Sequence, residues 1–306
     1  MAHADRVTAL ARSARHLPDA GTPGVADARL LPDQGFSAAW DAVLLPDDMK
    51  SRILRTAVAG IQLRAKVGIE ALPLHGVLLM TGKPGVGKTT LARGLADRLA
   101  RSLPGGSWAF IEVDPHALAS SSLGRSQRSV EQLFTQVLAE HAAAGPLVIL
   151  VDEVETLLTD RAGLSTETNP IDVHRAVDAA LVGLDRLARD HKQVVVIATS
   201  NYPEAIDAAF ASRADLIVEI PLPDRQGREA ILRDTIGAVV AAFPGAQGLN
   251  QPGVITRAAE LSEGMDARRL RKAVAEACAW RSETQGDPNR VTGDDLLAVL
   301  TNGSIA

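Results

Sequence analysis

Thr81-Gly82-Lys83-Pro84-Gly85-Val86-Gly87-Lys88-Thr89-Thr90 places a glycine, four residues, then Gly-Lys-Thr in a row. That is the phosphate-loop spacing. Ahead of it, Val77, Leu78, Leu79 and Met80 form a short apolar run of the kind a buried strand shows. Behind it, residues 91–99 repeat apolar positions at helical spacing. Glycines let a backbone turn tightly enough for its N–H groups to face a polyphosphate. A helix that starts at such a loop adds the positive end of its dipole. Lys88 then reaches the β- and γ-phosphates, and Thr89 offers its hydroxyl to Mg²⁺. Lys83, Pro84, Gly85, Val86, Gly87 and Thr90 complete the cradle. A chance glycine-rich turn is the competing reading, and the strand–helix frame weighs against it.

The 306 residues suffice for two modest domains, or one large domain with an appendage. Hydrophobic residues make up 46% but aromatics only 3%, so the core must be built from Ala, Val, Leu and Ile. With 32 basic against 37 acidic residues, the net charge is −5, which gives no global pull toward nucleic acid. A local basic patch stays open. The single cysteine, Cys278, excludes an intramolecular disulfide framework and fits a reducing cytoplasm. No signal peptide is expected, and no apolar run nears the ~20 residues of a membrane span. The seven histidines show no pair at ligand spacing, so a metal site built from them is not expected.

Read in order, Val7, Leu10, Ala11, Ala14 and Leu17 suit one face of a short helix. Pro18, Gly21, Pro23, Gly24, Pro32 and Gly35 then read as a linker. Residues 1–35 are thus a frayed tail or a small docking helix with its tether. Helical spacing runs over about 47–67. Val43, just ahead of it, either packs against an adenine base or belongs to the core. Four more apolar runs follow at 108–113, 147–151, 194–198 and 216–220, with helical patterns between them. Strands alternating with helices predict a parallel sheet covered on both faces. After Pro221 and Pro223 the strand signal stops. Helices are predicted from Asp224, up to about residue 262, over 267–282, and after Thr292, which stands at capping-box spacing from Asp295. The expected division is a tail at 1–35, an α/β domain at 36–222 and a small helical domain at 223–306.

Val148-Ile149-Leu150-Val151-Asp152-Glu153 is an apolar strand ending in two carboxylates. Ligands of open α/β sheets bind at the carboxyl ends of strands. Asp152 suits Mg²⁺, directly or through water, and Glu153 suits an attacking water as general base. An ordinary acidic strand exit is the alternative, which the phosphate loop about sixty residues upstream disfavours. The adjacent Asp-Glu pair favours hydrolysis over transfer to a second substrate. The next strand ends in Thr199-Ser200-Asn201. Asn201 is the candidate to sit beside the γ-phosphate and orient the water, although an Asn also opens a turn well before Pro203. Arg213, in the 207–215 loop, is either half of a surface salt bridge or an arginine finger for a neighbour's nucleotide. Arg268 either contacts the γ-phosphate or belongs to a solvated basic face with Arg269, Arg271 and Lys272.

These pieces, in this order, resemble the AAA+ ATPases from about Phe36 to the C-terminus. That resemblance implies a P-loop α/β large domain with a five-stranded parallel sheet, a small all-helical lid domain, and the cofactors ATP and Mg²⁺. The stretch from Asp152-Glu153-Val154-Glu155 through Asn169-Pro170, Arg175 to Leu181 and Leu184-Asp185 to Ser212-Arg213-Ala214-Asp215 is similar to the pachytene-checkpoint family, which remodels HORMA-domain proteins. The resemblance implies a cytoplasmic homohexamer that draws its client through a central pore. Bacterial relatives work beside HORMA proteins and CD-NTase-type nucleotidyltransferases in the antiphage systems called CBASS. Membrane and nucleic acid are not expected partners. The alternative within AAA+ is an unfoldase or loader acting on another protein or a nucleic acid. A nucleotide switch that barely hydrolyses is a third reading, against which Glu153 speaks. Two departures stand out. The recruitment domain of eukaryotic members is replaced by the short tail, and the pore loop carries Ser122 and Leu123 where a bulky aromatic pair is expected. Residues 160–170 would form a second pore-facing loop.

Overall fold

A computed structural model describes residues 15–104, 106–118, 125–159 and 170–302. In chain order, the first unit contains strand β1 (Val25–Leu31), helices α1 (Gln34–Ala42) and α2 (Asp47–Arg64), and β2 (Val77–Thr81). Helix α3 (Lys88–Ser102), β3 (Trp108–Val113) and α4 (Arg125–Gln132) follow, and α4 continues through a π-helical segment, Leu133–Leu138. Next come β4 (Leu147–Val151), α5 (Pro170–Asp190), β5 (Val194–Ser200) and β6 (Ala214–Glu219).

The strands lie in the order β1-β3-β4-β5-β2-β6. β2 to β6 run parallel to one another, and β1 pairs antiparallel with β3. Every residue of β2, β3, β4 and β5 is buried. Such continuous apolar strands fit a sheet covered on both faces, as parallel crossovers require. On one face, Val77, Leu79, Ile111, Ile149 and Val196 meet Val177, Leu181, Leu184 and Leu187 of α5, together with Phe134 and Leu138. α3 packs along β2, β4 and β5.

The sheet has six strands where the sequence suggested five. The additional strand, β1, comes from the stretch read as tail and linker. Its residues, VADARLL, are mostly half-buried with no clean alternation, and glycine and proline flank it, so its signal is that of a tether. Pairing with β3 is what makes it a strand, and that partner lies far along the chain. Arg15 fixes the chain ahead of β1 by donating to the carbonyls of Ser107, His141, Gly145 and Pro146. The predicted short helix at 7–17 lies largely outside the described residues. Strand β5 reaches Ser200 rather than stopping at 198, and β6 starts at Ala214 rather than 216.

The second unit comprises Val43–Asp47, Gly82–Gly87 and Ile220–Ala306. Its helices are α6 (Arg225–Ala242), α7 (Pro252–Leu261), α8 (Ala267–Ala277) and α9 (Gly293–Asn302). Ile231, Leu232, Ile236, Leu249, Ile255, Leu270, Val274, Leu296 and Val299 form its core. Asp224 caps α6 by accepting from Gly227 N at 2.7 Å. The Thr292–Asp295 capping box forms, with Thr292 N donating to Asp295 Oδ2 at 2.9 Å and Asp295 N to Thr292 Oγ1 at 3.4 Å. α8 ends at Ala277, short of 282, and Ser282–Gln285 is a separate turn.

Candidate active site

The carboxyl ends of β2, β4 and β5 are neighbours. Thr81 pairs with Ser200 and Val151 with Ala198, so Asp152 and Thr199 leave the sheet side by side. Lys88 and Thr89 begin α3 immediately after the phosphate loop. Five side chains from these elements form one set, in two hydrogen-bonded runs. Lys88, a residue only 6% exposed, donates its ammonium to Asn201 Oδ1 at 2.7 Å. Asn201 Nδ2 donates to Glu153 Oε1 at 3.1 Å. Thr89 Oγ1 donates to Asp152 Oδ1 at 2.8 Å. The sequence-derived candidates Lys88, Thr89, Asp152, Glu153 and Asn201 therefore meet, although they come from three separate stretches.

Three residues in this set were not singled out from the sequence. Thr199 donates its hydroxyl to Asp152 Oδ1 and accepts from Glu153 N at 3.2 Å. Glu155 Oε1 accepts from Asn201 N at 3.1 Å and so holds the loop after β5. His116 Nε2 stands 3.9 Å from Glu153 Oε2. The signal available for Thr199 was its spacing. It lies two positions before Asn201, and alternate strand residues share a face.

Glu153 has φ 50° and ψ 55°, a left-handed backbone that non-glycine residues rarely adopt. It caps the single 3₁₀ turn Val154–Thr156. That bend carries the chain out of β4 and turns the carboxylate toward Asn201.

The phosphate loop itself belongs to the second unit. Gly85 and Gly87 have φ of 83° and 97°. A side chain at Gly85 would run into the Asp266 carboxylate, and one at Gly87 would lie 3.3 Å from Val43 Cγ2. Val86 is 6% exposed, whereas Lys83 and Pro84 are exposed. Val43 is thus buried against the loop. Asp266 caps α8 by accepting from Arg268 N at 2.8 Å and Arg269 N at 3.0 Å. The Arg268 side chain is exposed.

Arg213 lies away from this set, in the turn before β6. It forms a two-pronged ion pair with Asp185 of α5, with Nε and Nη2 at 2.7 and 2.8 Å from the two carboxylate oxygens. The hydrogen bond from Arg213 holds the Asp185 carboxyl below its usual range, and the same bond raises Arg213. The pore-loop candidates Ser122 and Leu123 lie outside the described residues, as do residues 160–169 of the second loop.

The AAA family, the ATPase family associated with various cellular activities, matches residues 78–222, the span that carries this hydrogen-bonded set. CD-NTase-associated protein 6 of Pseudomonas aeruginosa is 45% identical over 252 residues, 82% of this chain and 83% of that protein. The chain belongs to the AAA ATPase family, alongside that protein. Pachytene checkpoint protein 2 homolog of Arabidopsis thaliana is 32% identical over 226 residues, 70% of this chain but 48% of that protein. This AAA ATPase therefore spans about half the length of that relative. Among solved structures, a chain of the E. coli MS115-1 HORMA:CdnC:Trip13 complex matches with a TM-score of 0.74 at 17% identity, over 94% of this chain and 97% of that one. That likeness is one of fold.

The AAA family implies a nucleotide and a divalent metal, and the site has suitable donors. Thr89 Oγ1 and Asp152 Oδ1 present a hydroxyl and a carboxylate oxygen 2.8 Å apart. Such hard oxygen donors, one or two from the protein, are what Mg²⁺ accepts when phosphate and water supply the rest. Among the described residues, no helix is long and apolar enough to cross a membrane.

Proposed function

We propose that this chain is the subunit of a homohexameric, cytoplasmic ATPase that remodels a bacterial HORMA-domain protein. In this reading it regulates a CBASS antiphage system in which the client also meets a CD-NTase-type nucleotidyltransferase. The observation that carries the chemical half is the hydrogen-bonded run Lys88–Asn201–Glu153 beside Thr89–Asp152. The client is supported by the 45% identity to CD-NTase-associated protein 6.

The residues divide the work as follows. The loop from Lys83 to Thr90 wraps the polyphosphate with backbone N–H groups, and Lys88 moves its ammonium from Asn201 onto the β- and γ-phosphates. Thr89 and Asp152 would hold Mg²⁺, which would offset the charge of the phosphates. Asn201, already within hydrogen-bond reach of Glu153, orients a water against the γ-phosphorus. Glu153 takes a proton from that water as its oxygen bonds to phosphorus and the bond to the ADP oxygen breaks. Arg213 completes the pocket of the adjacent subunit, and Arg268 of α8 senses the γ-phosphate. Val43 packs on the adenine. The working division is an ATPase domain that includes β1 and runs to about 222, followed by a helical domain at 223–306. Ser122 and Leu123 are assigned to grip the client in the pore.

The test is ATP turnover by the purified protein with a HORMA-domain protein or with duplex and single-stranded DNA. The expected result is stimulation by the HORMA protein, and a stable complex with it when Glu153→Gln blocks hydrolysis. Stimulation by DNA alone would replace this reading with a nucleic-acid loader.

A further inference from the structure

Arg213 meets its own chain in a specific way. Its Nε and Nη2 donate to the two oxygens of Asp185, and its Nη1 donates to Ala209 O at 2.6 Å. A guanidinium has five N–H donors. Three are engaged here, and two remain for an anion. The side chains of Arg213 and Asp185 are 22% and 31% exposed, so the pair lies at a surface and is reachable from outside. His75 Nε2 stands 3.7 Å from the Asp185 oxygen that accepts from Arg213 Nε.

A two-pronged carboxylate–arginine pair fixes the plane of the guanidinium as well as its position. A free arginine carries about 2 kcal/mol of rotamer entropy that must be lost when it docks. The Asp185 clamp removes most of that freedom before any partner arrives. Preorganised charge of this kind is what phosphoryl-transfer sites use.

We propose that Asp185 is a positioning residue that holds Arg213 ready for the nucleotide of the adjacent subunit, with two N–H donors left for the γ-phosphate. This inference rests on the reading of Arg213 as a donor to a neighbour's pocket. Asp185 itself touches no nucleotide and acts through Arg213. The opposite role, a latch that withholds Arg213, uses the same bonds and predicts the opposite change in rate.

The experiment compares Asp185→Asn, Asp185→Glu and Arg213→Ala, alone and mixed with excess Glu153→Gln subunits. For Asp185→Asn, kcat is expected to fall about 10-fold or more while KM for ATP stays within about 2-fold, and Asp185→Glu is expected to recover part of the loss. Mixing carries the decisive readout. A Glu153→Gln subunit cannot hydrolyse ATP, but it donates an intact Arg213 to the pocket next door. Turnover per Asp185→Asn pocket is therefore expected to rise toward the wild-type value in mixed rings. A purely structural role would leave the defect in the variant's own pocket, and mixing would not repair it. Turnover by Asp185→Asn at or above the wild-type rate overturns the proposal, as does failure to recover on mixing when Arg213→Ala subunits do recover. Wild-type turnover by Arg213→Ala overturns the inter-subunit reading itself, and Asp185 loses its role with it.

Discussion

The hydroxyl of Thr199 donates to the carboxylate of Asp152 while its oxygen accepts from the backbone N–H of Glu153. One buried side chain, 1% exposed, thus ties the metal-ligand candidate to the general-base candidate. It sits at the tip of β5, where the pairing of Val151 with Ala198 sets it beside the exit of β4. The placement of both carboxylates depends on the register of two parallel strands and on one hydroxyl between them.

Thr199→Val keeps the shape and removes that hydroxyl. Glu153 N–H loses its acceptor, and a buried group left without its partner costs about 1–3 kcal/mol. The larger expected effect is on rate, because a displacement of about 1 Å at a reacting group can lower turnover about 100-fold. For Thr199→Val, kcat is expected to drop about 10- to 100-fold with ATP affinity little changed, and Thr199→Ser should restore most of it. Steady-state ATPase assays with a fluorescent-nucleotide titration check this. Wild-type kcat in Thr199→Val would mean that the hydroxyl is idle.

The parts legible in the sequence were those with local signals. The phosphate loop is contiguous, and β2, β3, β4 and β5 are unbroken apolar runs because both faces of each are covered. The meeting of Lys88, Asp152 and Asn201 followed from the rule that ligands gather at strand ends. What stayed hidden was set by long-range pairing. β1 is half-buried and is a strand only by virtue of β3. Thr199 and Glu155 carry ordinary side chains whose importance lies in which neighbour the sheet register gives them. Asp185 lies 28 residues before Arg213, and nothing in its local sequence marks it as the partner.

The helical unit offers a test of charge. Asp295 is 4% exposed and accepts from Arg281 Nε at 2.6 Å, Arg281 Nη2 at 2.9 Å and Thr292 N at 2.9 Å. Burial by itself would raise this carboxyl, but the bonds from Arg281 and Thr292 outweigh burial and hold it below its ordinary value. Between the lowered folded value and the ordinary value of about 4, the unfolded chain binds more protons than the folded one. The charged group's contribution to stability is therefore complete above about pH 4 and is lost as pH falls through the folded value. Asp295→Asn is expected to be less stable than wild type at pH 7, with the difference shrinking below about pH 4. Urea denaturation followed by circular dichroism at a series of pH values measures it. A difference that stays constant with pH would mean that shape, rather than charge, holds Arg281.

Glu153 is the one non-glycine with positive φ among the described residues. Left-handed backbone costs a long side chain about 1–2 kcal/mol, whereas Asn tolerates it well. The strain buys a sharp exit from β4 that aims the carboxylate at Asn201 Nδ2, 3.1 Å away. Glu153→Asn and Glu153→Gln remove the same charge beside Asp152, so any relief of repulsion is common to both. They differ in backbone preference, since Gln shares the reluctance of Glu and Asn does not. Both variants are expected to lose about 10²- to 10⁴-fold in kcat, the range that a positioned general base supplies. Only Glu153→Asn is expected to melt higher than Glu153→Gln, by about 1–4 °C for a gain of about 0.5–1 kcal/mol. Scanning calorimetry on the two variants separates strain from chemistry. Equal melting temperatures would show that the surrounding turn, rather than residue 153, sets the left-handed conformation at no local cost.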